Sequence, residues 1–151
     1  MLAKTRNIRT RGFTLVELIA VIVVLAILSA IAIPKYFDYA SKARESSLKA
    51  TLGNLRSAMA NFYANTVVSG GTPAYPTLVQ MQTPGTVLQD PPPQNPFNNS
   101  QAVIAGTWTT ATALVPNPAQ PVSGTAGYAY DATAGKVWAN SNTTGMAENA
   151  W

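Results

Sequence analysis

The chain has 151 residues and contains neither cysteine nor histidine. This composition excludes disulfides, thiolate metal sites, thiol nucleophiles and the side chain most used for proton transfer near neutral pH. We therefore expect no enzyme activity, no cofactor and no metal. The formal net charge of +4 comes from basic residues that precede Gly12, namely Lys4, Arg6, Arg9 and Arg11. Since six basic and six acidic residues balance from Phe13 onward, no nucleic-acid partner is expected.

An apolar run follows the basic leader at once, from Phe13 to Ile33, and only Thr14, Glu17 and Ser29 interrupt it. As a helix rising about 1.5 Å per residue, the run spans roughly 30 Å, the thickness of the hydrocarbon core of a bilayer. The basic residues before it favour a cytoplasmic N-terminus. The run therefore predicts a single-pass anchor in the inner (cytoplasmic) membrane, in contact with lipid, with the rest of the chain outside that membrane.

Two other interpretations of this segment are open. An ordinary secretory signal peptide also has a charged start and an apolar stretch, and Ala30-Ile31-Ala32 has the small-residue pattern of its cleavage site. The run is longer than the usual 7–15 residues of such a peptide, however, and a carboxylate near its start disfavours simple secretion. The second alternative is an uncut, generic membrane anchor.

Residues 11–19 read Arg-Gly-Phe-Thr-Leu-Val-Glu-Leu-Ile, which places a small residue, an aromatic residue and then a carboxylate at the start of the apolar helix. This segment resembles the type IV prepilin family, which includes pilins and the pseudopilins of type II secretion. The resemblance implies that a prepilin peptidase removes the leader, residues 1–12, by a cut between Gly12 and Phe13. It also implies that the new Phe13 amine is methylated, so Gly12 and Phe13 are the predicted processing residues.

Glu17 is the one acidic residue of the apolar run, and an ionised carboxylate in lipid costs about 3 kcal/mol or more. A positive amine beside the carboxylate would offset much of that cost. In a filament of staggered subunits, as the resemblance implies, Glu17 of one chain faces the Phe13 amine of its neighbour and sets the axial register. The alternative is that Glu17 lies near the membrane interface and reaches water.

A helical pattern resumes directly after Pro34, where a proline inside the helix removes a hydrogen bond and predicts a kink. Apolar residues then recur at spacings of four and three, which places on one stripe Leu48, Leu52, Leu55, Met59 and Phe62. We interpret this stripe as the face on which a C-terminal domain packs. The predicted helix runs from about Phe13 to Ala64, apolar over residues 13–33 and amphipathic over residues 34–64.

Residues 65–151 have a different composition, in which Pro, Gly, Thr, Asn and Ala dominate. The proline-rich stretch 90–97 excludes a helix or a central strand and predicts an ordered, semi-rigid connection. Three short segments have strand character, 103–108, 127–131 and 136–139. Gly135 suits a positive-φ position in the hairpin turn that joins the last two. The resemblance extends to this hairpin and to Asn95-Pro96-Phe97, which is similar to the turn before the sheet of pilin-like proteins.

The predicted fold class is therefore α+β and pilin-like: one long N-terminal helix, its first half transmembrane, with a small C-terminal antiparallel sheet. Four segments follow from this reading: a cleaved leader (1–12), the transmembrane and filament-core half of the helix (13–33), its exposed amphipathic half (34–64) and a small β-rich domain (65–151).

The function that the resemblance implies is structural. A membrane-stored subunit is processed and then polymerises, with copies of itself and related pilins, into a periplasmic or extracellular helical filament. Many type IV pilins close their C-terminal region with a disulfide, which this chain cannot form, and this favours a type II secretion pseudopilin or a pilin-like protein. An assembly ATPase and a platform protein are implied partners, since the chain has no Gly-rich phosphate loop. The alternatives are a minor pilin that acts as an adhesive or binding tip module and a plain single-pass membrane-anchored domain.

Overall fold

The computed structural model describes residues 12–109, 120, 122, 124–142 and 148–151. The predicted leader lies outside the described residues except for Gly12. The chain divides between Ala40 and Ser41 into two compact units. Helix α1, Leu15–Val68, contributes its N-terminal part to the first unit and its C-terminal part to the second.

The first unit leaves its side chains uncovered. Every described residue from Gly12 to Tyr39 is exposed, and this includes the whole apolar run. By length and composition α1 is able to cross a membrane. The helix continues through Pro34, and a kink at that residue stays a prediction. An exposed apolar surface of this extent indicates a segment that other molecules, lipid or protein, are meant to cover.

In the second unit, α1 packs through the stripe that the sequence predicts. Its buried members are Leu48, Leu52, Leu55 and Met59, and Phe62 is half-buried. The buried four join one apolar core with aromatic and aliphatic side chains of the sheet. The interpretation of the stripe as a packing face is confirmed.

The remaining elements of the second unit are short: helix α2 (Leu78–Gln82), strands β1 (Val103–Ala105), β2 (Tyr128–Asp131) and β3 (Lys136–Ala139), and a 3-10 turn (Glu148–Ala150). The sheet order is β1-β2-β3. β2 and β3 pair antiparallel, with Tyr128 opposite Ala139. β1 pairs parallel to β2, with Val103 opposite Tyr128.

The α+β class with one long helix and a small sheet is confirmed, but the sheet is mixed rather than wholly antiparallel. Parallel neighbours need a connection of about a dozen residues or more, and residues 106–127 are long enough to provide it. The antiparallel prediction therefore holds for the hairpin alone.

The hairpin turn is held by Asp131, whose Oδ1 accepts hydrogen bonds from the backbone N–H groups of Thr133 (2.8 Å) and Ala134 (3.0 Å). Gly135 has a φ of +61°, which confirms the predicted positive-φ position. A Cβ at Gly135 would lie 2.4 Å from the ring of Tyr75. Both the backbone conformation and the close ring therefore require glycine there.

Hydrogen bonds tie the proline-rich connection to the sheet and to the residues beside its strands. The buried amide of Asn95 donates to the carbonyl oxygen of Gly127 (2.9 Å) and to Oγ of Ser141 (3.0 Å). The hydroxyl of Tyr128 donates to the carbonyl oxygen of Pro93 (2.8 Å). Burial raises the pKa of Tyr128 to about 12, so this hydroxyl stays protonated and remains a donor at any physiological pH.

Candidate assembly site at the start of the apolar helix

Helix α1 begins with a reciprocal cap formed by Thr14 and Glu17. Oγ1 of Thr14, the residue before the first helical position, accepts a hydrogen bond from the N–H of Glu17 (3.2 Å). Oε2 of Glu17 accepts in return from the N–H and from the hydroxyl of Thr14, both at 2.8 Å. This is the capping-box arrangement of the pattern Thr-x-x-Glu, and it satisfies two backbone N–H groups at the start of the helix.

Thr14 is a residue of this site that the sequence prediction omitted, although the spacing of Thr14 and Glu17 carries the capping-box signal. At the start of a membrane-spanning helix such a cap would matter more than in water. Hydrocarbon contains no water to pair with a free backbone N–H, and each unsatisfied group costs several kcal/mol. The carboxylate also lies at the positive end of the helix dipole, which favours a negative charge.

The cap leaves acceptor capacity on the carboxylate. Both hydrogen bonds reach Oε2 of Glu17, and within the part of the chain that the structure describes Oε1 accepts none. An ionised carboxylate offers about four lone-pair sites on its two oxygens. Glu17 is therefore able to cap its own helix and to accept from a cation of another molecule at the same time.

The two predicted processing residues precede the cap and are open to approach. Phe13 is 79% exposed. A Cβ added to Gly12 would meet no described atom within 4 Å, and the φ of Gly12 is not in the left-handed region. Neither space nor backbone conformation in the described chain thus requires glycine at position 12. Pro34 lies far along α1 and takes no part in this site.

The chemistry available at the site is charge pairing. Across the described segments, no group of three or more acidic side chains comes close enough to hold a metal ion. One carboxylate, one hydroxyl and an exposed aromatic ring support recognition and assembly rather than bond making or breaking.

The segment that contains this site is similar to known proteins. Residues 8–33 fit the family model described as the prokaryotic N-terminal methylation motif. The type IV major pilin protein PilA of Myxococcus xanthus is 40% identical over 58 residues, 38% of this chain and 26% of the relative. The type IV narrow pilus major component PilA5 of Thermus thermophilus is 46% identical over 52 residues, 34% of this chain and 45% of the relative. PilE1 of Neisseria gonorrhoeae, a type IV major pilin protein, is 39% identical over 59 residues, 39% of this chain and 36% of the relative.

The matched segment spans less than half the length of each of these curated relatives. No solved structure matches the chain significantly. The matched residues include Gly12, Phe13 and Glu17. The predicted resemblance of the N-terminal segment to type IV prepilins is therefore confirmed, through the N-terminal methylation motif and the pilin relatives.

Proposed function

We propose that this chain, with its prepilin-type N-terminal segment, is a structural subunit of a type IV pilus-like filament, not an enzyme. The observation that carries the proposal is the capped start of α1 together with its apolar run, residues 13–33, which is long enough to cross a membrane and is exposed along its whole length. Such a surface needs a cover. Lipid supplies the cover while the subunit is stored, and copies of the same helix supply it in the filament.

The processing step follows from the same segment. A prepilin peptidase removes residues 1–12 by cutting after Gly12, and the Phe13 amine becomes the methylated N-terminus. The open surroundings of Gly12 support this role. The described fold does not require glycine at this position, so we attribute the glycine to the peptidase that must accommodate it. The leader contains four basic residues, and their positive charge holds the N-terminus on the cytoplasmic side of the inner membrane.

Glu17 sets the register between subunits in this proposal. Its Oε2 stays with Thr14, and its Oε1 accepts from the Phe13 amine of a neighbouring copy. A charge-assisted hydrogen bond of this kind is about twice as strong as a neutral one. It also offsets the cost of a carboxylate in a lipid environment.

Cysteine content and the names of the relatives bear on whether the filament is a pilus or a secretion pseudopilus. The absence of cysteine favours a type II secretion pseudopilin, whereas the relatives above are named as major pilins. We assign the chain as a pilin-like subunit first and a pseudopilin second. An assembly ATPase and a platform protein are the further partners, since polymerisation from a membrane needs an energy source that this chain does not contain.

Mass spectrometry of the mature N-terminus tests the proposal, on membranes and on filaments sheared from the cell surface. Wild-type chain is expected to start at a methylated Phe13 in both fractions. Gly12→Ala is expected to retain the leader. Gly53→Ala is the matched control, because Gly53 is also a helix-compatible glycine with no described atom near its Cβ position, and it should be processed as wild type.

Two results would contradict the proposal. A chain starting at Ile33 would identify an ordinary signal peptide cut after Ala32, and an intact chain starting at Met1 would identify a plain anchor. A processed chain that stays in the periplasm, and never reaches the sheared surface material unless overproduced, would favour the secretion pseudopilin over the pilus.

A further inference from the structure

A cavity of about 290 Å³ in the second unit combines aromatic walls with two cations. We call it the tyrosine pocket, and its main lining residues are Arg56, Met59, Tyr63, Tyr75, Gly135 and Lys136. The rings of Tyr63 and Tyr75 lie 4.9 Å apart at 33°. The Tyr75 ring also lies close to Gly135. Tyr75 therefore contacts both Tyr63 and the hairpin turn.

No acidic side chain forms an ion pair with either cation of the pocket within the described residues. Arg56 donates through Nη2 to the carbonyl oxygen of Val137 and to the backbone oxygen of Trp151. Lys136 lies over the ring of Trp108, with Nζ 5.9 Å from its centre. Among the side chains that the structure describes, the single ion pair is Lys49 with Glu45.

The carboxylate opposite Lys136 in the sheet, that of Asp131, already accepts hydrogen bonds from the backbone. Asp131 pairs with Lys136 across β2 and β3. Its two oxygens accept from three backbone N–H groups: those of Trp108, Thr133 and Ala134. The pocket therefore has the character of a receptor for an acidic group that is flanked by aromatic or apolar surface.

The first unit carries a segment with these properties. Residues 36–39, Tyr-Phe-Asp-Tyr, follow the apolar run, and we call them the aromatic–acidic segment. Tyr36, Phe37 and Tyr39 are exposed by 70%, 64% and 66%. Asp38 between them is exposed and forms no ion pair within the described chain.

No other carboxylate fits as well. Glu17 lies in the membrane segment, Glu45 is paired with Lys49, Asp131 is bound by the backbone and Glu148 is buried. Asp90 is exposed but precedes three prolines rather than aromatic rings. Only Asp38 brings both negative charge and uncovered aromatic surface.

We infer that the aromatic–acidic segment of one copy docks in the tyrosine pocket of a neighbouring copy, with Asp38 facing Lys136 and Arg56. The inference rests on the proposed filament function. While the subunit is stored, the three rings lie just beyond the hydrocarbon, where tyrosine side chains are favoured. Extraction from the membrane removes that cover, and the pocket of a neighbour replaces it with aromatic contact and an opposite charge.

Disulfide crosslinking tests this contact in the full chain, and the absence of native cysteine gives a clean background. The variant with Asp38→Cys and Lys136→Cys is expected to give, in sheared and oxidised filaments, a ladder of covalent multimers. Each single cysteine variant can give at most a dimer. The pair Asp90→Cys and Lys136→Cys is the matched control, and it should give no ladder.

Charge reversal provides the second measurement, which also applies if the cysteine pair fails to assemble. Asp38→Lys and Lys136→Asp are each expected to lower the sheared filament yield about tenfold, as the loss of a close charge pair does. The variant carrying both changes should recover most of that loss. Asp90→Lys should assemble as wild type.

The outcomes separate the two proposals. Filaments without a ladder, single reversals that assemble as wild type, or a double reversal no better than the worse single one would each overturn the docking contact and leave the filament function intact. Wild-type chain that is processed but never recovered in filaments would overturn the function itself.

Discussion

The two units of this chain differ in where their residues find partners. In the first unit, from Gly12 to Ala40, apolar side chains are exposed and the recognisable motif lies at the start of the helix. In the second unit, the apolar side chains of helix α1 and of the sheet are buried in one common core. The first unit is thus defined by what surrounds it outside the chain, and the second by what it packs against within the chain.

The strongest way to test this contrast is to shorten one leucine in each unit. Leu52 is fully buried and Leu25 is 55% exposed. Leu52→Ala should lower the free energy of unfolding of the second unit by about 3 kcal/mol, since it leaves a cavity. Leu25→Ala should leave it unchanged. Urea unfolding of the full chain in detergent, monitored by tryptophan fluorescence, reports on the second unit alone because all three tryptophans lie in it. Equal effects of the two variants would refute the contrast.

The connection before the sheet offers the next largest effect. Asn95 is fully buried and its amide nitrogen donates two hydrogen bonds. Asn95→Ala should destabilise the second unit by about 2 kcal/mol, because it leaves buried acceptors without a donor. The exposed Asn54 provides the control, and Asn54→Ala in the same urea titration should cost nothing. A stability loss for Asn95→Ala no larger than that of the control would show that the connection does not depend on this side chain.

Weakening the cap of the apolar helix should have only a local effect and should leave the stability of the second unit unchanged. Thr14→Ala removes the hydroxyl of the capping box and should weaken the first turn by about 1 kcal/mol. Amide hydrogen exchange at Glu17 in micelles should become faster, while urea unfolding of the second unit stays constant. Thr14→Ser retains the hydroxyl and should protect this amide. Unchanged exchange in Thr14→Ala would mean that Glu17 holds the cap by itself.

The smallest expected effect concerns pH and the hairpin turn. Hydrogen bonds from the backbone N–H groups of Trp108, Ala134 and Thr133 lower the pKa of Asp131 below its ordinary value of 3.8. A carboxyl with a lowered folded-state pKa stabilises the fold above its unfolded pKa, and this contribution is lost as the pH falls through the folded value. As the pH falls from about 5 through the folded-state pKa of Asp131, stability should therefore fall slightly. The loss should be small because Asp131 is only half-buried and water screens its charge.

The variant Asp131→Asn isolates that contribution. Its urea midpoint should be lower than wild type at pH 7, and the difference should shrink as both are acidified below about pH 4. Asp90→Asn is the matched control, because it changes an exposed carboxylate that receives no hydrogen bond from the described residues. A constant difference for Asp131→Asn would show that the turn does not depend on the ionised form.

Local patterns account for what the sequence predicted. The stripe from Leu48 to Met59 repeats every three or four residues, and a helix turns such a repeat into one face. The β2–β3 hairpin was predictable because Asp131 and Gly135 supply turn chemistry within five adjacent residues. In both cases the information lies within a few residues of the element that it specifies.

Features that depend on distant residues were not predictable in the same way. The parallel pairing of β1 with β2 depends on the path of residues 106–127, in which no periodicity specifies a direction. Helix α2 is only five residues long and was not predicted. The tyrosine pocket joins Arg56, Tyr75 and Lys136, which have no sequence relation to one another. At the candidate assembly site, the sequence predicts the charge-pairing role of Glu17 but not its hydrogen bonds with Thr14.

The reciprocal cap has a consequence for the order of maturation. Thr14 and Glu17 both lie on the C-terminal side of the proposed cut, so the hydrogen bonds of the cap join two residues that the mature subunit keeps. In the proposed maturation, the same two side chains can therefore cap the helix before and after the leader is removed.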